Sequence, residues 1–178
     1  MKSNIHTARK LSLSYRFIDD LLMFNTAGIM DEHRTRIYPK ELILNRENDS
    51  DQHCTFLDLN ITLNKDKTIT TSIYDKRDDF NFDINSLPNL SGNIHTARSH
   101  GIVISQLLRF CNVCNNVTNF LSRTTQLVQK LTGQFFVPKL LRQKVSNFYD
   151  KYYHIVKKYN YSKSQLINHV LPKVAKVP

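Results

Sequence analysis

Apolar residues fall at alternate positions from Leu11 through Leu13 and Tyr15 to Phe17, the period of a half-buried strand, and the run stops at Asp19-Asp20. Leu21–Phe24 is a second apolar run. Together they predict a β-hairpin with two carboxylates at its turn. A short helix is expected over Asp31–Tyr38, stopped by Pro39, with a strand at Leu42–Leu44. Leu57, Leu59, Ile61 and Leu63 alternate cleanly, and Asn64-Lys65-Asp66-Lys67 supplies turn chemistry. Thr68–Tyr74 is β-branched, so a second hairpin is predicted there.

From Asp75 to Gly101 the chain is polar and irregular, and it reads as a connecting loop. Beyond it the period changes. Leu107, Leu108, Cys111 and Cys114 recur at helical spacing, as do Phe120, Leu121, Leu127, Val128 and Leu131. Pro138 suits the first turn of a third helix whose apolar face runs Leu141, Val145, Phe148, Tyr152, Ile155 and Tyr159. Ser162 with Gln165 forms a capping box opening a last helix that Pro172 ends. Strands followed by helices predict an α+β fold, with a small antiparallel β region at 1–90 and a helical region at 91–178.

Charge separates the same two regions. Residues 1–100 hold 13 Lys/Arg against 14 Asp/Glu, whereas residues 101–178 hold 12 Lys/Arg and a single acid, Asp150. The overall +10 therefore resides in the helical region, and polyanions, nucleic acid first among them, are the expected partners. Arg142, Lys144, Lys151, Lys157 and Lys158 are the candidate phosphate contacts there. Four glycines and no G-x-G-x-x-G or G-x-x-x-x-G-K argue against a Gly-rich nucleotide loop. No run approaches the roughly 20 apolar residues of a membrane span, and Met1–Lys10 lacks a signal-peptide core. An intracellular protein, nuclear or cytoplasmic and not secreted, is expected. Three cysteines fit reduced thiols.

Two adjacent carboxylates on a tight turn suit a hard divalent cation, which takes one or two carboxylates plus phosphate oxygens. The segment Tyr15-Arg16-Phe17-Ile18-Asp19-Asp20-Leu21-Leu22 resembles the F/Y-x-D-D box of reverse transcriptases, and the chain beyond it is similar to Penelope-like retroelements in particular. The supporting stretches are Tyr38–Leu42, Phe56–Ile61, Tyr74–Phe80, Ser105–Arg109 and Phe148–Tyr152, in order along the chain. The resemblance implies a palm remnant followed by a thumb-like region, an RNA template with a DNA primer as partner, and Mg²⁺ (or Mn²⁺) as cofactor. It implies that Asp19 is the main catalytic metal ligand and Asp20 its less essential neighbour, with Phe56–Ile61 near the primer terminus.

The departures from that pattern also count. Such a polymerase needs a further aspartate from a strand before the x-D-D box, and fingers residues that hold the nucleotide. Only 18 residues precede Asp19, and neither feature is among them. The GIY and YIG pair of the endonuclease carried by many Penelope-like proteins is absent. The chain alone is therefore expected not to polymerise, and a non-enzymatic nucleic-acid-binding module or a decayed remnant is the alternative.

The cluster Asp75-Lys76-Arg77-Asp78-Asp79 has two readings, a phosphate-orienting loop acting through Lys76 and Arg77 or a salt-bridged loop without chemistry. Cys111 and Cys114 form a C-x-x-C on an apolar stripe with no second pair, which favours core packing. His6, His95 and His100 lie in polar segments, where exposure or local hydrogen bonding is expected. An identical hexapeptide, Asn4–Arg9 and Asn93–Arg98, has unrelated flanks and is too short to be a structural repeat.

Overall fold

The computed structural model describes residues 11–24, 28–48, 50–82 and 84–171. Pro172, His6 and the first hexapeptide copy lie outside them. The fold is α+β with small antiparallel sheets, and the chain divides into two compact units, Met1–Leu57 and Asp58–Pro178.

The first unit holds the expected hairpin, β1 (Ser14–Phe17) against β2 (Asp20–Met23). It is shorter and wetter than the alternation suggests. Leu11–Leu13 is a 3₁₀ turn, and Tyr15 and Phe17 are each 54% exposed, so here the two-residue period is not a burial pattern. Phe24 N–H donates to Leu13 O (3.1 Å), extending the ribbon by one pairing. Helix α1 (Ile29–Ile37) follows Gly28, whose φ of 74° favours glycine, and stops before Pro39. The expected strand at Leu42–Leu44 does not form. That segment is irregular and Ile43 is 72% exposed, so no ladder and no core reward its apolar residues. Strand β3 spans His53–Phe56.

The second unit opens with the second predicted hairpin, β4 (Leu59–Leu63) and β5 (Ile69–Ile73), paired Leu59↔Ile73 through Leu63↔Ile69. Its turn works as the composition suggests. Asp66 accepts from Thr68 N–H and Oγ–H, while Asn64 Nδ2 donates to Thr68 and Thr70. A short helix, α2 (Thr96–Ser99), interrupts the expected loop. Helices α3 (Gly101–Val113), α4 (Val117–Gly133), α5 (Pro138–Lys151), α6 (Tyr153–Val156) and α7 (Lys163–Val170) complete the unit.

The predicted third helix is broken. At Tyr152 the backbone leaves helical angles (φ −114°, ψ 26°), and α6 and a 3₁₀ turn at Lys157–Tyr159 carry the chain onward. The redirection buries Val156 and Tyr159 in the core. Tyr159 stacks on Phe120 (4.7 Å between ring centroids), and its hydroxyl donates to Cys114 O (2.6 Å). Ser162 and Gln165 form both halves of the capping box.

The core draws Leu107, Phe120, Leu131, Leu141, Phe148 and Leu166 from four helices, each at most 1% exposed. Ile73, 2% exposed, joins it from β5. Asn115, between α3 and α4, closes the edge of β5. Its side chain accepts from Thr71 N–H (3.0 Å) and donates to Ile69 O (2.6 Å), and Thr71 Oγ–H donates to Val113 O (2.6 Å). These bonds satisfy strand-edge groups that would otherwise be open. They also make the β4–β5 hairpin part of the helical unit, on the same side of the compact division at 57/58.

Candidate metal and nucleic-acid residues

In the β1–β2 register Phe17 faces Asp20, leaving Ile18 and Asp19 as a two-residue loop. Such loops follow the strand twist by using positive φ, a role suited to Gly or Asn. Here Ile18 takes it, with φ 52°. A β-branched residue at that angle is strained. Arg16 Nε donates to Ile18 O (2.8 Å) and braces the turn. Asp19 and Asp20 are both exposed, and among the described residues neither carboxylate has a hydrogen-bonding or ionic partner.

This donor set fits a hard cation in one way only. Two neighbouring carboxylates offer oxygens to an ion that completes its shell with water and phosphate. Among the described residues no group of three or more His, Cys, Asp or Glu is placed to hold a metal.

The candidate cations of the second unit fall into two groups. Arg142 donates to Leu171 O and ties α5 to the end of α7. Lys158 donates to Cys111 O and lies 4.9 Å above the Tyr159 ring. Arg77 grips Asp75 through Nε and Nη2 and reaches Ser86 through Nη1. These three have structural work. Lys76, Lys151 and Lys157 are exposed and Lys144 is half-buried, with no hydrogen-bonding partner among the described residues. Lys151 lies 5.4 Å from the Tyr152 ring centroid. Lys144 and Lys151 are seven residues apart on α5, and at 100° per residue that sets them on one face.

The Arg77 guanidinium holds the Asp75 carboxyl well below the usual range, at about 2. Asp78 accepts from Arg123, whose Nη2 also reaches Ile73 O (2.8 Å). Two stretches that carry the resemblance also meet, because Arg109 donates to Asp58 through both Nε (3.1 Å) and Nη2 (2.8 Å). Sequence reading missed Arg109, Arg123 and Lys130 as a group. Their partners lie some 50 residues away or across a loop, beyond the reach of any local pattern.

Cys111 and Cys114 are wholly buried, and burial pushes the Cys111 thiol up to about 12. His95 is exposed and its ring caps α2 by accepting from Arg98 N–H (3.3 Å). His100 takes the second of the two expected alternatives, local hydrogen bonding, and does so while buried. It is 4% exposed, packs 5.0 Å from the Phe136 ring, and Nδ1 bonds Thr96 O (2.7 Å), because α2 turns it into the core. Among the described residues no helix is long and apolar enough to cross a membrane. No protein-family model, curated protein or solved structure matches this chain.

Proposed function

We propose that the chain corresponds to the C-terminal palm and thumb portion of an RNA-directed DNA polymerase of the reverse-transcriptase type. Asp19 is the main metal ligand in this reading, Asp20 its neighbour, and the solvent-facing lysines of the helical unit grip an RNA template paired with a DNA primer. The observation that carries it is the exposed Asp19-Asp20 pair, without partners among the described residues, at the tip of a two-residue β-hairpin. Carboxylates committed to ion pairs would be poor ligands, and carboxylates on a floppy loop would hold no geometry. The x-D-D likeness and the ordered stretches after it supply the polymerase identity.

Bound Mg²⁺ or Mn²⁺ would activate an attacking oxygen and stabilise a leaving one. The chain's own contribution is to hold two negative charges at a fixed point and to neutralise phosphates from α5. Polymerisation also needs a further aspartate and nucleotide-holding residues, which the resemblance does not assign to this chain, so in this reading residues 1–178 by themselves do not extend a primer.

The test is a Mn²⁺ titration read by paramagnetic broadening of backbone amides. Broadening centred on residues 17–21 and lost in Asp19→Asn is expected. Broadening that ignores this substitution removes the metal assignment.

One observation favours a second reading, a nucleic-acid-binding module without catalysis. Residues 58–178 form a compact unit holding 17 Lys/Arg against 7 Asp/Glu, and such a unit binds phosphate without the hairpin. Duplex binding with no Mn²⁺ uptake at Asp19 selects it.

A further inference from the structure

A second cationic feature of the helical unit stands apart from the α5 lysines. Between β5, the loop after it, α3 and α4 lies a recess of about 120 Å³. Arg77, Arg109, Arg123 and Lys130 line it, with Gln106 and Gln126 between them and Asp75 in its wall.

The charges are not cancelled within it. Asp75, Asp58 and Asp78 each accept from one arginine and Asp75 also attracts Lys130, yet among the residues that line the recess Asp75 is the one acid against three arginines and Lys130. Nor are the donors used up. Arg109 spends Nε and Nη2 on Asp58, leaving Nη1. Arg123 bonds through Nη1 and Nη2, leaving Nε. Gln126 Oε1 accepts from Arg123, so its amide N–H groups remain, and Lys130 has no hydrogen-bonding partner among the described residues. Paired guanidinium groups are also held in place before any ligand arrives, so little side-chain entropy is lost on binding.

We propose that this recess binds a terminal phosphate monoester. A tetrahedral dianion with three free oxygens matches the unspent donors that α3 and α4 bring to the lining of the recess, and its charge answers the excess of cations there. Size narrows the ligand. Pockets that swallow drug-sized molecules run to roughly 300–1,000 Å³, so a recess of about 120 Å³ admits the phosphate and leaves an attached nucleoside outside. A phosphate monoester reaches such a recess either on a free mononucleotide or at the 5′ end of a strand. The site does not depend on the polymerase reading, because it uses neither Asp19 nor the α5 lysines.

The experiment titrates the 178-residue chain with inorganic phosphate, then with 5′-phosphorylated and 5′-hydroxyl forms of one short oligonucleotide. Backbone amide shifts of residues 123–130 are followed at constant ionic strength. Saturable phosphate binding that weakens about tenfold or more in Lys130→Met, and is unchanged in Lys65→Gln on the exposed β4–β5 turn, is the expected result. Gln126→Glu, which keeps the side chain's size and adds a carboxylate, gives the same loss by repulsion and serves if Lys130→Met fails to fold. A preference for the 5′-phosphorylated oligonucleotide names the strand end as the source. Equal binding of the two oligonucleotides, with phosphate still bound, names the free ester. No saturable phosphate binding, or binding indifferent to both pocket variants, overturns the proposal.

Discussion

Replacing Lys144 and Lys151 together with glutamine tests whether the helical unit grips a duplex through the face that carries them. Along α5 and the 3₁₀ turn at Lys157–Tyr159, Lys139, Lys144, Lys151 and Lys157 have no hydrogen-bonding partner among the described residues, whereas Arg142 and Lys158 are held by carbonyls. If each of the four solvent-facing lysines meets one phosphate, the logarithm of the association constant falls against log salt with a slope of about −3.6. A fourfold rise from 50 to 200 mM KCl then weakens binding roughly 150-fold. The double variant keeps two contacts, so its slope halves to about −1.8 and the same change costs roughly 12-fold. The assay is fluorescence anisotropy with a labelled RNA–DNA hybrid, repeated with a second sequence of equal length, since phosphate contacts carry no sequence information. A wild-type slope near zero, or a variant whose slope matches the wild type, refutes the reasoning.

Three other outcomes are expected from the structure. Because the Arg77 guanidinium lowers the folded-state pKa of Asp75 to about 2, its contribution to stability is full above the unfolded value of 3.8 and is lost as pH falls toward 2. Partial exposure screens that contribution to about 1 kcal/mol, so an acid melt of Asp75→Asn should be flatter than wild type between pH 4 and 2. Tyr159→Phe keeps the stack on Phe120 but leaves Cys114 O without its 2.6 Å donor, and thermal unfolding should show a loss of about 1–2 kcal/mol; an unchanged Tm would mean another donor takes over. Ile18→Gly relieves positive-φ strain of about 1–2 kcal/mol, and the 74% exposed side chain forfeits little burial. After glycine's entropic cost of about 0.5–1 kcal/mol, amide exchange in β1 and β2 should slow modestly, and faster exchange would contradict the strain argument.

What the sequence revealed and what it hid divide along the range of the forces involved. The helices of 101–170 were legible because Leu107, Phe120, Leu141 and Leu166 sit on stripes that one core buries, and Ser162 with Gln165 marks a boundary through bonds three residues apart. The hairpin bearing Asp19 and Asp20 was legible from alternation, although its Tyr15 and Phe17 remain exposed. Leu42–Leu44 has the same local signal and forms no strand, since pairing depends on a neighbour that the segment itself does not encode. The break at Tyr152 was hidden for a related reason. The spacing of Tyr152, Ile155 and Tyr159 is helical, but Cys114 O and the Phe120 ring, far away in sequence, fix where Tyr159 must go. The charge asymmetry pointed to the lysines as a set. Which cations brace the fold and which face solvent was settled by partners such as Asp58 for Arg109, 51 residues apart.

Burial of two of the three thiols gives the molecule a single chemical address. Cys111 and Cys114 are sealed in the core, whereas Cys54, on β3, is partly accessible. A maleimide dye or nitroxide added to the native protein will therefore attach in the smaller unit, at one known residue, without any cysteine having to be removed. Modification of the other two becomes a clock for opening of the helical core.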